Sequence, residues 1–217
     1  MIPKADAAFV CQMEQVLDEY AKPYDEHHPV VCLDESPYQM VSEIRQSFTD
    51  SKGVVHTDYE YQREGVVDLY MLVEPLDGYR EVLVEDNHKG HTYAKVLAHL
   101  VEQIYPTAKR ITLVEDNASA HKLAALYEVF PAERARNIIE RLRVVRTPAH
   151  GSWLNIAECE LSVLKRQGIA HRVATKEQLQ KQVLAWYQQR NQKESKVDWQ
   201  FTTKQARIKL KRLYPSL

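Results

Sequence analysis

The residues best placed to do chemistry are acids standing where apolar runs begin or end. Val30-Val31-Cys32-Leu33 is a short run rich in β-branched residues and reads as a buried strand, closed by Asp34-Glu35-Ser36-Pro37. Ile111-Thr112-Leu113-Val114-Glu115 reads as a second buried strand and ends at Asp116-Asn117. Each therefore delivers an acid at its C-terminal end. Strand side chains alternate, so only one of Asp34 and Glu35 faces a given side. A third acid comes from His150–Gln167, HGSWLNIAECELSVLKRQ, which turns from loop to helix within a few residues. Ala157, Leu161 and Leu164 recur at spacings of four and three, one helical face, which puts Glu158 and Glu160 in the first turn. Glu158 also has a purely structural explanation: with Asn155 as N-cap it occupies the third helical position and can close a capping box.

What Asp34, Asp116 and Glu158 could do together follows from electrostatics. Three carboxylates sharing a cleft raise one another's pKa and do not all stay ionised without a cation. Hard oxygen ligands select Mg²⁺ or Mn²⁺. Two such ions about 3.5–4 Å apart can hold the attacking and leaving oxygens of an in-line displacement at a phosphodiester. Asp34 is then the expected bridging ligand to both ions, with Asp116 and Glu158 each holding one. The nucleophile is a water or a DNA 3′-hydroxyl.

The elements that must position these acids can be read in order. Residues 6–21 form a helix with Phe9, Val10, Met13, Val16, Leu17 and Tyr20 on one stripe. Strands are expected over 54–63 and 66–74 with Gly65 as the turn between them, and over 80–84. A helix follows over 91–104, then the 111–115 strand, two short helices over 119–127 and 132–142, and a last strand over 143–146 closed by Thr147-Pro148. Thr175 with Gln178, and Thr202 with Gln205, are capping signals for two C-terminal helices. This order predicts an α/β fold whose mixed sheet has antiparallel first strands and parallel later strands, flanked by helices. In such sheets functional groups gather beyond the carboxyl ends of central strands.

Charge is distributed unevenly. Residues 161–217 carry thirteen Lys and Arg against three Asp and Glu, a net +10, whereas residues 1–160 carry −11, so the overall −1 conceals a basic tail. Such a block suits a polyanion, since Lys and Arg release counterions from phosphates; it equally suits a solvated face pairing with the acidic body. No apolar run approaches a membrane span, and MIPKADAAFV lacks a signal-peptide pattern, so a soluble cytoplasmic protein with no membrane partner is expected. Cys11, Cys32 and Cys159 fit neither a disulfide framework nor a zinc site, and core packing is their expected role. His27-His28 and His88…His91 have poor geometry for a shared metal.

Taken together, VVCLDESPYQM, HTDYEYQREG, ITLVEDNASAH, TPAHGSWLNIAECELSVLKRQ and WQFTTKQARIKLKRLYP resemble successive blocks of the DDE transposases of the mariner superfamily, in its bacterial insertion-sequence branch. The resemblance implies an RNase H-like catalytic core, assigned here to 29–170, preceded by a helix and linker over 1–28 and followed by basic C-terminal helices over 171–217. Asp34, Asp116 and Glu158 match the family's catalytic, metal-binding triad. Asn117, His121, His150, Asn155, Lys165 and Arg166 are candidates for supporting the metal site or contacting DNA. The resemblance implies two Mg²⁺ or Mn²⁺ ions, cleavage at transposon ends, joining to a TA target, DNA as partner and a nucleoid-associated location. A second copy of the chain is a candidate partner.

Four features depart from the family pattern. The chain starts where the family's N-terminal helix-turn-helix region would already have ended. Glu115 stands where an apolar residue is usual, and a carboxylate there is costly unless exposed or paired. Ala118-Ser119-Ala120 also alters the segment after Asp116, while Glu64 and Ala149 replace more typical Asn and Lys residues, which weakens expected DNA contact. The main expectation is an active nuclease and strand transferase. The alternatives are a catalytically inactive, DNA-binding transposase remnant and an interaction protein that keeps the fold without a DNA role.

Overall fold

The computed structural model describes residues 6–44, 48–56, 60–169 and 172–216. Helix α1 (Ala7–Tyr20) is capped by Asp6, whose carboxylate accepts from the Ala8 and Phe9 N–H groups. It buries the expected stripe of Phe9, Met13, Val16, Leu17 and Tyr20. Strand β1 (Val30–Glu43) follows, then the short β2 (Phe48–Thr49) and β3 (Val55–His56), the long β4 (Tyr61–Glu74) and β5 (Tyr79–Glu85). Helix α2 (Gly90–His99) ends in a wider π-helical turn over Leu100–Ile104. Next come β6 (Ile111–Glu115), α3 (Ala125–Val129), α4 (Ala132–Glu140) and β7 (Leu142–Arg146). The chain closes with α5 (Ile156–Gln167), α6 (Lys176–Gln192) and α7 (Thr203–Lys209).

The main sheet has the order β5-β4-β1-β6-β7. β1 pairs antiparallel with β4, and β4 with β5, whereas β1 and β6, then β6 and β7, pair parallel. The mixed sheet expected from the element order is therefore present. Alternation along the central strands separates two cores. Cys32, Val114 and Val145 join the side covered by α1, α5 and α6; Val31, Leu33, Ile111 and Leu113 join the side covered by α2, α3 and α4. β6 is buried along its whole length, as its continuous apolar run requires.

Several local expectations are corrected. β1 does not end at Asp34: it continues to Glu43 because β4 supplies an antiparallel partner for that whole length. Gly65 is not a turn between two strands but a bulge inside β4, with φ +123°, where the β1 register shifts between Met40 and Val41. Of the expected strand over 54–63, residues 57–59 lie outside the described residues, and Val55–His56 pairs with β2. The helix expected over 119–127 is confined to Ala125–Val129, because residues 118–124 form turns around the end of β6. Only Cys32 is a core thiol, packed against the Tyr20 hydroxyl at 3.1 Å; Cys11 and Cys159 are exposed. Among the described residues no helix is long and apolar enough to cross a membrane.

The basic tail serves partly to hold itself to the body. Arg207 pairs with Glu14 of α1, and Lys176 with Asp86 after β5. The Thr202 and Gln205 capping box is formed in full.

Candidate active site

The parallel β1–β6 ladder has its last pair at Cys32 and Val114. Asp34 and Asp116 each lie two residues beyond that pair, so alternation returns both to the face covered by α5. The third contributor is set by Asn155, which is buried at the start of α5. Its Nδ2 donates to the Leu33 carbonyl at 2.9 Å, and its Oδ1 accepts from the Ala157 N–H at 3.1 Å. One side chain thus ties the helix start to the strand position beside Asp34. Glu158 follows in the first turn.

Asp34, Asp116 and Glu158 line one cleft of about 580 Å³. Asn117, His150, Asn155 and Lys165 line it too, with Glu35, Ser36, Ser152 and Ser162 added by the structure. Burial pushes the Asp34 carboxyl up to about 7; the nearby Glu35, Asp116 and Glu158 carboxylates push the same way, against the Glu35 N–H bonded to it. The Asn155 N–H donates to the Ser152 carbonyl at 2.8 Å, so Glu158 closes no capping box, and its Oε2 is buried with no hydrogen-bond partner. Among the described residues, no three His, Cys, Asp or Glu side chains close around a point as the ligands of one ion do. The three carboxylates share the cleft without a common centre. Their donor set, oxygens only, with one carboxyl held near neutrality and one oxygen orphaned, fits a hard divalent cation.

Glu160, the competing acid on α5, is used elsewhere. Its carboxylate is buried between two arginines, Arg80 Nε at 3.0 Å and Arg190 Nη2 at 3.0 Å. Arg80 is itself fully buried and donates to the Gly78 and Ser195 carbonyls. Glu160 therefore locks α5 to β5 and α6, and Glu158 alone of the pair lines the cleft.

Behind Asp116 lies a charged cluster on the opposite side of the sheet. His121 is buried, with Nε2 hydrogen-bonded to Glu35 Oε2 at 3.0 Å and Nδ1 in an ion-pair contact with Asp116 Oδ1 at 2.9 Å. Burial disfavours its charge, but Asp116 and Glu35 outweigh that and raise its pKa to about 10. The imidazolium in turn holds the Asp116 carboxyl below the usual range, helped by the Ala118 N–H at 2.8 Å. Glu115 is fully buried, as its place on β6 demands, yet it is paired: Tyr93 donates to it at 2.8 Å, and Arg146, its partner in the β6–β7 register, lies at 3.2 Å. Burial still pushes the Glu115 carboxyl up to about 7.

The remaining candidates divide. His150 adopts φ +64° at the cleft rim. Asn117 faces the cleft while donating to the Thr147 carbonyl, which joins the loops after β6 and β7. Lys165 donates to Ser36 Oγ across the cleft. Arg166 does not line the cleft; it folds back on the Ser162 carbonyl in its own helix. The role of Glu35 was missed because adjacent acids on a strand look interchangeable until the burying helices are known.

A family model described as DDE superfamily endonuclease matches residues 29–180. The chain belongs to that family. No curated protein matches it. Solved structures similar to this DDE-family chain include the Mos1 mariner paired end complex with Mn, at 18% identity and TM-score 0.56, covering 88% of this chain and 60% of that one. The Mos1 paired end complex with Mg matches at 16% identity and TM-score 0.58, over 97% and 64% of the two chains. The Mos1 Strand Transfer Complex matches at 17% identity and TM-score 0.56, over 83% and 53%. The DDE-family chain thus spans about 60% of the Mos1 chain length, and the likeness shows a shared RNase H-like fold.

Proposed function

We propose that this chain is the catalytic domain of a DDE transposase, cutting DNA phosphodiesters at transposon ends and joining them to target DNA. The observation that carries this reading is the delivery of Asp34, Asp116 and Glu158 to one cleft by three separate elements, β1, the loop after β6, and α5. The family match supports an endonuclease, and the quoted sequence blocks support a mariner-type relative from the bacterial insertion-sequence branch. Mos1 complexes hold transposon ends, and DNA ends are the proposed partner here.

Asp34, Asp116 and Glu158 are the residues that would hold Mg²⁺ or Mn²⁺. When bound, two such ions neutralise charge developing at the phosphate and orient the reacting oxygens. The chain's own contribution is positional. Asn155 fixes the distance between α5 and β1, and Asn117 holds the two rim loops together. Lys165, the lysine on the cleft wall, offers a cation to backbone phosphate.

The test is nicking of supercoiled plasmid by the whole chain with Mn²⁺ or Mg²⁺ against EDTA, alongside binding to nonspecific duplex over a salt series. Metal-dependent nicking is expected, with binding that weakens steeply between 50 and 200 mM salt. Salt-sensitive binding without nicking in either metal would sink the catalytic reading in favour of an inactive DNA-binding remnant. Neither nicking nor binding would favour an interaction protein.

A further inference from the structure

Beyond Cys32 and Val114 no backbone pairing holds β1 to β6, yet the two strands carry Asp34 and Asp116 just past that point. Spacing between the two acids needs another tie. The structure supplies one from the loop after β6. His121 Nε2 bonds Glu35 of β1 at 3.0 Å, and His121 Nδ1 sits 2.9 Å from Asp116, so one ring spans the gap that the ladder leaves open.

We propose that His121 is a positioning residue, bridging Glu35 and Asp116 so that the two cleft acids on β1 and the β6 loop keep a fixed separation for the divalent cation. The inference rests on the reading of Asp116 as a metal-holding residue. It excludes direct DNA contact for His121, whose side chain is 1% exposed behind the sheet edge. Two further contacts hold the residue, one at the ring and one at its backbone. Tyr93 stacks on it, centroids 4.6 Å apart and planes at 25°, and Arg146 donates to the His121 carbonyl at 2.6 Å. The Asp116 carboxylate is then held on one oxygen by the ring and by the Ala118 N–H. Its other oxygen carries no such restraint and is the one left for a ligand. Outer contacts of this kind orient carboxylate ligands, and their loss typically lowers metal affinity about 10–100-fold.

The bridge also explains the order of the adjacent acids. Asp34 follows Cys32 to the α5 face, and Glu35, at the cleft edge, turns the other way along β1 and reaches the ring. Exchanging the two residues would put the shorter side chain on the bridge.

The experiment measures Mn²⁺ affinity of the whole chain directly, by the loss of the free-ion electron spin resonance signal, together with the Mn²⁺ dependence of nicking. His121→Ala and Glu35→Ala are expected to weaken Mn²⁺ binding about 10–100-fold and to shift half-saturation of nicking by the same factor. Glu35→Gln, which keeps an acceptor for His121 Nε2, is expected to restore most of the affinity lost in Glu35→Ala. Tyr93→Phe removes only the hydroxyl donated to Glu115 and keeps the stack; it should lower stability while leaving Mn²⁺ affinity unchanged, which a general loosening of the cluster would not do. Wild-type Mn²⁺ affinity in His121→Ala, with affinity lost in Asp116→Ala, would overturn the positioning role alone. Wild-type affinity in Asp116→Ala would overturn the ligand reading and the bridge with it. Should His121→Ala fail to fold, the Glu35 pair decides the question.

Discussion

Glu158 and Glu160 stand two residues apart in one helical turn, and neighbours alone separate their roles. Glu158 keeps a buried oxygen without a partner at the cleft, whereas Glu160 is neutralised by Arg80 and Arg190. Removing one member of a buried ion cluster leaves uncompensated charge, at a cost of about 3–5 kcal/mol. Glu160→Ala is therefore expected to lower unfolding free energy by that order in urea denaturation, and Glu158→Ala to leave it nearly unchanged. An equal loss in both variants would contradict the division. The sequence offered both acids and could not choose, because Arg80 and Arg190 lie 80 and 30 residues away along the chain. Glu115 shows the same limit. Its cost on a buried strand was legible in the sequence, but its compensation by Tyr93 and Arg146 depends on α2 and β7 folding over it.

At the scale of elements, the start of α5 decides the site. Asn155 was readable as an N-cap from its place before an amphipathic run, and it is one. Its second bond, to the Leu33 carbonyl, was not readable, since nothing local indicates which strand the helix will cross. That bond makes the cap a spacer between α5 and β1. Asn155→Ala loses a cap worth about 1 kcal/mol and strands a buried carbonyl worth about 1–3 kcal/mol more. Thermal denaturation should show the loss, and nicking should fall even at temperatures where the chain stays folded. Full activity in a folded Asn155→Ala chain would remove the spacer role. The strand errors have one cause. Asp34 and Gly65 carry turn-like local signals, but antiparallel pairing of β1 with β4 carries both strands through them, absorbing Gly65 as a bulge. Tertiary pairing overrides local propensity where fourteen-residue strands have full partners.

For the whole molecule, buried acids set the response to pH. Glu74 is buried far from the cleft, and burial raises its carboxyl to about 7 despite the Tyr105 hydroxyl bonded to it. A carboxylate raised above its unfolded value holds a proton in the folded chain that the unfolded chain has already lost. Stability is then highest at the acidic side of this window and falls as pH rises from about 4.5 to about 7. Burial of Asp34 acts in the same direction, and a bound divalent cation would cancel that part. Melting temperature in EDTA is expected to decline across this range, and Glu74→Gln to flatten the decline. A melting temperature that climbs through the window would refute the assignment. The charge asymmetry of the sequence translated only in part: Arg207 and Lys176 hold the tail to the acidic body, while Lys165 lines the cleft.

The central claim is that Asp34, Asp116 and Glu158 act as one metal-dependent cleavage centre. Mn²⁺-dependent nicking by the Asp34→Ala, Asp116→Ala and Glu158→Ala chains, each checked for fold by circular dichroism, tests it most directly. Loss of nicking by at least about 10³-fold in all three, with folds intact, is the predicted result. Wild-type nicking in any one of them would contradict it.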